Sequence, residues 1–283
     1  MTVKNKTSFY ETIKLKIAIL YICTGKYSIF WQQFYESAEK YFLPSHEKQY
    51  FVFSDTLDNP HKENVSLIYQ EKMGWPYDTL MRFHLFASIQ GRLNDFDFIF
   101  FCNANLCFKK TITEEILSEN GLPFDLIVVR HPFFYWVKDP KDFPYERRKR
   151  SLAYIPKESG QVYVMGGFNG GRSEEYLEMV ASLKNRITTD KKNGIIALWH
   201  DESHLNRYIN ESKKRIKILD YTYGFPEGHD LPLKNDVYIT FLDKEKFGGH
   251  DFLRGQENSN PVMPVQKSFY PIRWLKQKIR SLL

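Results

Sequence analysis

The chain has only three cysteines in 283 residues, Cys23, Cys102 and Cys107. An odd, low count without paired spacing argues against a disulfide framework or a zinc ribbon, and for a reducing compartment. All three lie in or beside apolar, strand-like runs, so buried, inert thiols are expected. Long hydrophobic runs are also missing. The first apolar stretch, Ile17 to Cys23, is too short to span a bilayer, and the polar N-terminus lacks a signal-peptide cleavage region. Cytoplasmic residence is the expectation. The chain carries no dinucleotide fingerprint, no P-loop, no internal repeat and no low-complexity linker. What it has is a 42% hydrophobic and 16% aromatic composition, ample for a core and incompatible with disorder throughout. Its formal net charge of +6 suits an anionic partner, whether nucleotide, nucleic acid or membrane surface, without choosing among them.

Lys16 to Cys23 reads as a buried first strand, followed by the turn-like Thr24-Gly25-Lys26. Phe30, Phe34, Ala38 and Tyr41 then recur at helical spacing. Tyr50 to Ser54, Ser66 to Tyr69 and Leu126 to Val129 read as further strands, and Leu80 to Ile89 as a helix. Strands alternating with helices over the first half predict an α/β fold with a Rossmann-like, mostly parallel central sheet and helices on both faces. One catalytic domain over 1–255 is expected, with a basic tail over 256–283. In that tail Ile272, Leu275, Ile279 and Leu282 fall on one helical stripe, with Trp274 beside it and Lys267, Arg273, Lys276, Lys278 and Arg280 around it. Such an amphipathic helix can lie on an anionic membrane or dock on its own domain.

Three segments carry chemistry. Asp95 to Phe108 reads as a buried strand running into two amides, Asn103 and Asn105, at the carboxyl end where ligands collect in open α/β sheets. Many nucleotide-sugar enzymes place Asp-x-Asp there to hold a divalent cation. Amides keep the spacing but ligate Mg2+ or Mn2+ poorly; the plain alternative is a strand ending in a turn. In Trp199 to Tyr208 a helix is predicted from about Asp201, with Asp201 as N-cap, which gathers His200, Asp201 and Glu202 at its entrance. His200 and His204 have the i, i+4 spacing of a zinc helix, but no third ligand follows at a known spacing. Gln161 to Gly171 reads as a strand followed by two glycine pairs, which permit close backbone approach to a ligand. Arg147 and Arg148 suit either a phosphate or structural ion pairs.

Together these segments resemble glycosyltransferase family 6, the retaining α1,3-transferases that include the histo-blood-group enzymes. The matching motifs run in order: YICTGKY (Tyr21 to Tyr27), GWP (Gly74 to Pro76), TLMRFHLF (Thr79 to Phe86), FFCNANLCF (Phe100 to Phe108), HPFFY (His131 to Tyr135), PYERR (Pro144 to Arg148), AYIP, MGGFNGG and WHDESHLNRY. Asn-Ala-Asn in place of the vertebrate Asp-Val-Asp resembles the bacterial, metal-independent branch.

The resemblance implies a GT-A fold and a UDP-sugar donor, UDP-GalNAc or UDP-Gal, as co-substrate, with no cofactor, no divalent metal and no nucleic acid. The implied acceptor is a β-galactoside or fucosyl-galactoside in a surface glycan. Tyr21, Ile22 and Tyr27 would line the uracil pocket and Arg82 would sit near the donor sugar and diphosphate. Asn103 and Asn105 would hydrogen-bond the donor. His131, Trp199 and His200 would shape the acceptor pocket. Asp201 would hold donor hydroxyls, and Glu202 would be the catalytic carboxylate. Lys244, Lys246 and Arg254 match the region that closes over the diphosphate, with the choice between the two lysines open. Met165 leans towards galactose, whereas Gly167 leaves room for an acetamide and favours GalNAc. Phe133 departs from the glycine often found after His-Pro. A non-catalytic sugar-binding module is the more distant alternative. A peripheral position on the inner face of the cytoplasmic membrane is expected through the tail.

Overall fold

A computed structural model describes residues 14–57, 62–232 and 236–255. The basic tail and its expected helix lie outside the described residues. The central sheet is built from β1 (Lys16–Ile22), β2 (Glu47–Ser54), β3 (Val65–Tyr69) and β4 (Phe98–Cys102). After the short β5 (Leu106–Phe108) and a small hairpin, β6 (Ser118–Glu119) and β7 (Leu122–Pro123), come β8 (Leu126–Arg130), β9 (Val164–Arg172) and β10 (Ile216–Leu219). The seven-stranded order is β10-β8-β9-β4-β1-β2-β3. All pairings are parallel except those of β9, which runs antiparallel to both β4 and β8. A second sheet joins β11 (Phe225–Pro226), β12 (Ile239–Phe241) and β5.

The period-2 geometry of a strand sorts β1 and β4 onto two faces. Ile17, Ile19, Tyr21, Phe98, Phe100 and Cys102 enter one buried cluster, where α1 (Trp31–Tyr41) packs through Phe34 and Ala38. Ala18, Leu20, Ile99 and Phe101 enter the other, against α3 (Arg82–Ser88), α5 (Ser173–Lys192) and α6 (His200–Glu211). Helices on both faces of a mostly parallel sheet are what the alternation predicts. All three cysteines are buried and free, and burial pushes the Cys23 thiol up to about 12.

Two expectations change. The helix read over Leu80 to Ile89 is broken: α2 (Tyr77–Leu80) stops at Met81, α3 follows from Arg82, and α4 (Gln90–Leu93) completes the run before β4. The predicted N-cap, Asp201, lies inside the first turn of α6, because Trp199 precedes the helix and the Asp201 carboxylate is drawn instead to Arg82.

Candidate active site

The carboxyl ends of β4 and β8 lead directly into Asn103 and His131, and that of β1 into the short 3-10 turn that carries Tyr27, so three predicted residues follow the strand ends at one edge of the sheet. β9 runs the other way, and its first residues therefore arrive at the same edge. Val128 pairs with Asn169 but Arg130 pairs with Val164, so β9 bulges across Met165 to Phe168 where it passes the site. A Cβ on Gly166 would stand 3.4 Å from both Arg82 Nη1 and Glu202 Cβ, which places this glycine backbone against the acidic pair.

Glu202 is held at both oxygens. The Tyr163 hydroxyl donates to Oε1 at 2.7 Å, and the Gly166 N–H donates to Oε2 at 2.7 Å. Burial is the largest influence on its acidity and pushes the carboxyl up to about 7, with the two donors pulling in the other direction. Asp201 is buried beside it and receives Arg82 Nη1 at 2.6 Å. The same Nη1 donates to the Gly166 carbonyl at 3.0 Å, and the guanidinium lies 4.2 Å from the centre of the Phe101 ring. Burial raises Asp201 while Arg82 opposes that shift. A buried pair of this kind costs desolvation that only close geometry offsets; here it fixes the helix entrance against the sheet.

His200 opens α6 at φ +50°, the left-handed region that side chains other than glycine seldom occupy and that recurs at functional sites. Its Nδ1 lies 3.1 Å from the Thr79 hydroxyl, and its ring meets Trp75 edge-on at 5.3 Å. Burial, aided by Arg254 and Arg82, lowers it to about 4, so the imidazole is neutral at physiological pH. His204 turns elsewhere. It is fully buried 3.7 Å from Asp190, so the i, i+4 histidines do not share a site.

Lys244 lies over the Tyr27 ring at 5.4 Å, and Arg254, at the end of α7 (Gly249–Arg254), over Trp75 at 5.3 Å. Burial lowers Lys244 to about 8, with Arg254 and Arg82 adding repulsion. Lys246 is exposed and pairs with Glu227 at 2.9 Å. The structure thus separates the two lysines between which the sequence left the choice open: Lys244 lies beside Tyr27, and Lys246 turns to a surface carboxylate.

The remaining predicted residues divide. Tyr21 is fully buried, stacked on Phe34 at 4.2 Å, with its hydroxyl donating to the Ala104 carbonyl. Its side chain supports the strand-end loop from below rather than lining a pocket, because odd-numbered positions of β1 face α1. Ile22 is half-buried at the strand end. Asn103 donates to Asn105 Oδ1 at 2.8 Å, and Asn105 donates to the Leu242 carbonyl at 2.8 Å, which ties the amide pair to β12. His131 sits among Phe133, Phe134 and Tyr163, and burial there pushes it down to about 3. Trp199 packs against that aromatic group. Met165 is buried, and a Cβ on Gly224 would come within 2.4 Å of its sulfur. The space expected beside Gly167 is filled: a Cβ there would meet the Phe241 ring at 2.5 Å. Arg148 pairs with Glu146 and Arg147 donates to the carbonyl oxygens of Ile155 and Pro140, so both arginines are structural. Sequence reasoning missed Tyr163, Phe241 and Trp75. Only the position of Tyr163 three residues before the glycines and of Trp75 inside GWP offered a signal.

Residues 3–246 match the family model of glycosyltransferase family 6. The chain is 35% identical over 232 residues to the O-antigen biosynthesis glycosyltransferase WbnI of Escherichia coli, across 81% of this chain and 95% of that protein. It is 31% identical over 247 residues to globoside alpha-1,3-N-acetylgalactosaminyltransferase 1 of Homo sapiens, across 83% and 69%. With histo-blood group ABO system transferase 1 of Rattus norvegicus it shares 32% over 225 residues, across 75% and 62%.

Proposed function

The chain belongs to glycosyltransferase family 6 and is a hexosyltransferase, and from that premise we propose a retaining, GT-A-type enzyme that transfers N-acetylgalactosamine from UDP, in α1,3 linkage, to a β-galactoside without a metal. The favoured acceptor is a fucosylated galactoside of a surface glycan. The observation that carries this reading is the doubly held carboxylate of Glu202, set beside the Arg82–Asp201 pair at the sheet edge. A fixed carboxylate facing the anomeric carbon either attacks it or stabilises an oxocarbenium-like centre while the acceptor hydroxyl enters from the UDP side. The departing diphosphate needs positive charge. Arg82, Lys244 and Arg254 supply it in this reading, and Asn103 and Asn105 stand where carboxylates would otherwise chelate.

Phe241 favours a second donor. With its ring over Gly167, the smaller C2 hydroxyl of galactose fits without rearrangement, whereas an acetamide requires the ring to turn aside. A panel of UDP-sugars and galactoside acceptors, run with and without EDTA, decides donor, acceptor and metal use together; loss of all turnover on chelation refutes the metal-free reading. Glu202→Gln is expected to lower kcat by about a thousandfold or more while UDP affinity holds. Weakened UDP binding contradicts its role.

Among the described residues no helix is long and apolar enough to cross a membrane. A peripheral site on the inner face of the cytoplasmic membrane is proposed through the basic tail. Truncation after Asn260 should then abolish binding to anionic vesicles, and unchanged binding refutes it.

A further inference from the structure

Tyr163 is tied down independently of Glu202. Its ring lies among His131 at 5.6 Å, Phe134 at 5.1 Å, Tyr145 at 5.5 Å and Phe143 at 6.4 Å, and its carbonyl accepts the His131 N–H at 2.8 Å. Residues 131 and 163 come from the ends of neighbouring antiparallel strands, so the phenol is built into the sheet edge rather than carried on a loose loop. A ring so enclosed fixes where its hydroxyl points, and it points at Glu202 Oε1.

Glu202 is half-buried in surroundings that disfavour its charge, and the groups facing it are few. They are Asp201 on its own helix, Arg82 on α3, the Tyr163 hydroxyl and the Gly166 N–H of β9. Asp201 opposes ionisation. Arg82 favours it, but its closest carboxylate contact is with Asp201. The backbone amide cannot be replaced by mutation. Tyr163 is the side chain that both fixes the carboxylate and stabilises its charge, since a hydrogen bond donated to an ionised group is among the stronger ones.

We propose that Tyr163 is the positioning residue of this enzyme: its hydroxyl keeps the Glu202 carboxylate ionised and aimed, so that the pH at which the enzyme becomes active is set by a residue that need not touch the sugar. This rests on the reading of Glu202 as the reacting carboxylate. The sign follows from the donor. Tyr163 favours the charged form of Glu202, so removing its hydroxyl raises the pH needed to ionise the carboxylate.

The test is Tyr163→Phe, which keeps the ring and its packing, compared with wild type and Glu202→Gln. The readout is kcat/KM for the UDP-sugar against pH, which reports groups in the free enzyme. The acid limb of Tyr163→Phe is expected to move up by about one to two pH units, the effect of losing one hydrogen bond to a charged group. Activity should recover towards wild type at high pH. Carbon-13 titration of the Glu202 carboxyl in the unliganded protein reads the same shift without turnover, and serves even where the variant turns over poorly. An unshifted acid limb and an unshifted titration, with Glu202→Gln inactive, overturn this inference alone. Turnover retained in Glu202→Gln overturns the reading of Glu202 and this inference with it.

Discussion

Lys244 offers a pH experiment on donor binding whose size follows from its surroundings. Burial lowers its ammonium to about 8, and the nearby charges of Arg254 and Arg82 work in the same direction. A diphosphate placed there restores the charge balance and favours the protonated form, so UDP binding takes up a proton. With a midpoint near 8, about half of the free enzyme carries the charged lysine at pH 8 and about a tenth at pH 9. If UDP binds the charged form, its affinity falls about fivefold over that unit, or about 1 kcal/mol. The interval lies above the range in which Glu202 titrates. Calorimetry at pH 8 in buffers of different ionisation enthalpy should show uptake of about half a proton per UDP. Lys244→Arg keeps the charge and removes the titration, so its affinity should stay flat from pH 8 to 9. A flat profile in wild type, or the same slope in Lys244→Arg, refutes the argument that this lysine faces the diphosphate.

Two further perturbations probe other parts of the site. Arg82→Met leaves Asp201 buried without its partner and should cost about 3–5 kcal/mol in denaturant unfolding; a loss below about 1 kcal/mol means that the pair contributes little. Phe241→Leu should raise the UDP-GalNAc to UDP-Gal ratio of kcat/KM about tenfold by opening the space over Gly167, and an unchanged ratio removes Phe241 from donor choice.

Much of the architecture was legible because its cause is local. KIAILYI and FIFFC are apolar on both faces, as strands covered by helices on both sides must be. The cluster of His200, Asp201 and Glu202 was legible for a related reason, since adjacent acids at a helix entrance stand out in any reading. What escaped was long-range. The 20-residue α5 was passed over, although Tyr176, Met179, Val180, Leu183 and Ile187 form its buried stripe. Its polar majority masks a stripe that only the sheet beneath it makes sense of. Tyr163 lies 39 positions from the carboxylate it serves. The choice between Lys244 and Lys246 turns on Glu227, which follows β11 and reaches Lys246 after β11 pairs with β12. The ring beside Gly167 escaped for the same reason: Phe241 arrives from another sheet.

Four of the nine residues of β9 are glycine, and a Cβ at Gly170 would strike the Phe100 ring at 2.2 Å, as one at Gly171 would strike the Asp125 carbonyl at 2.3 Å. A side chain at either of these two glycines would have to displace a neighbour, so this part of the strand takes nothing larger without rearrangement. The ring that closes over Gly167 belongs to Phe241 of β12, so the space beside that glycine is set from the facing sheet.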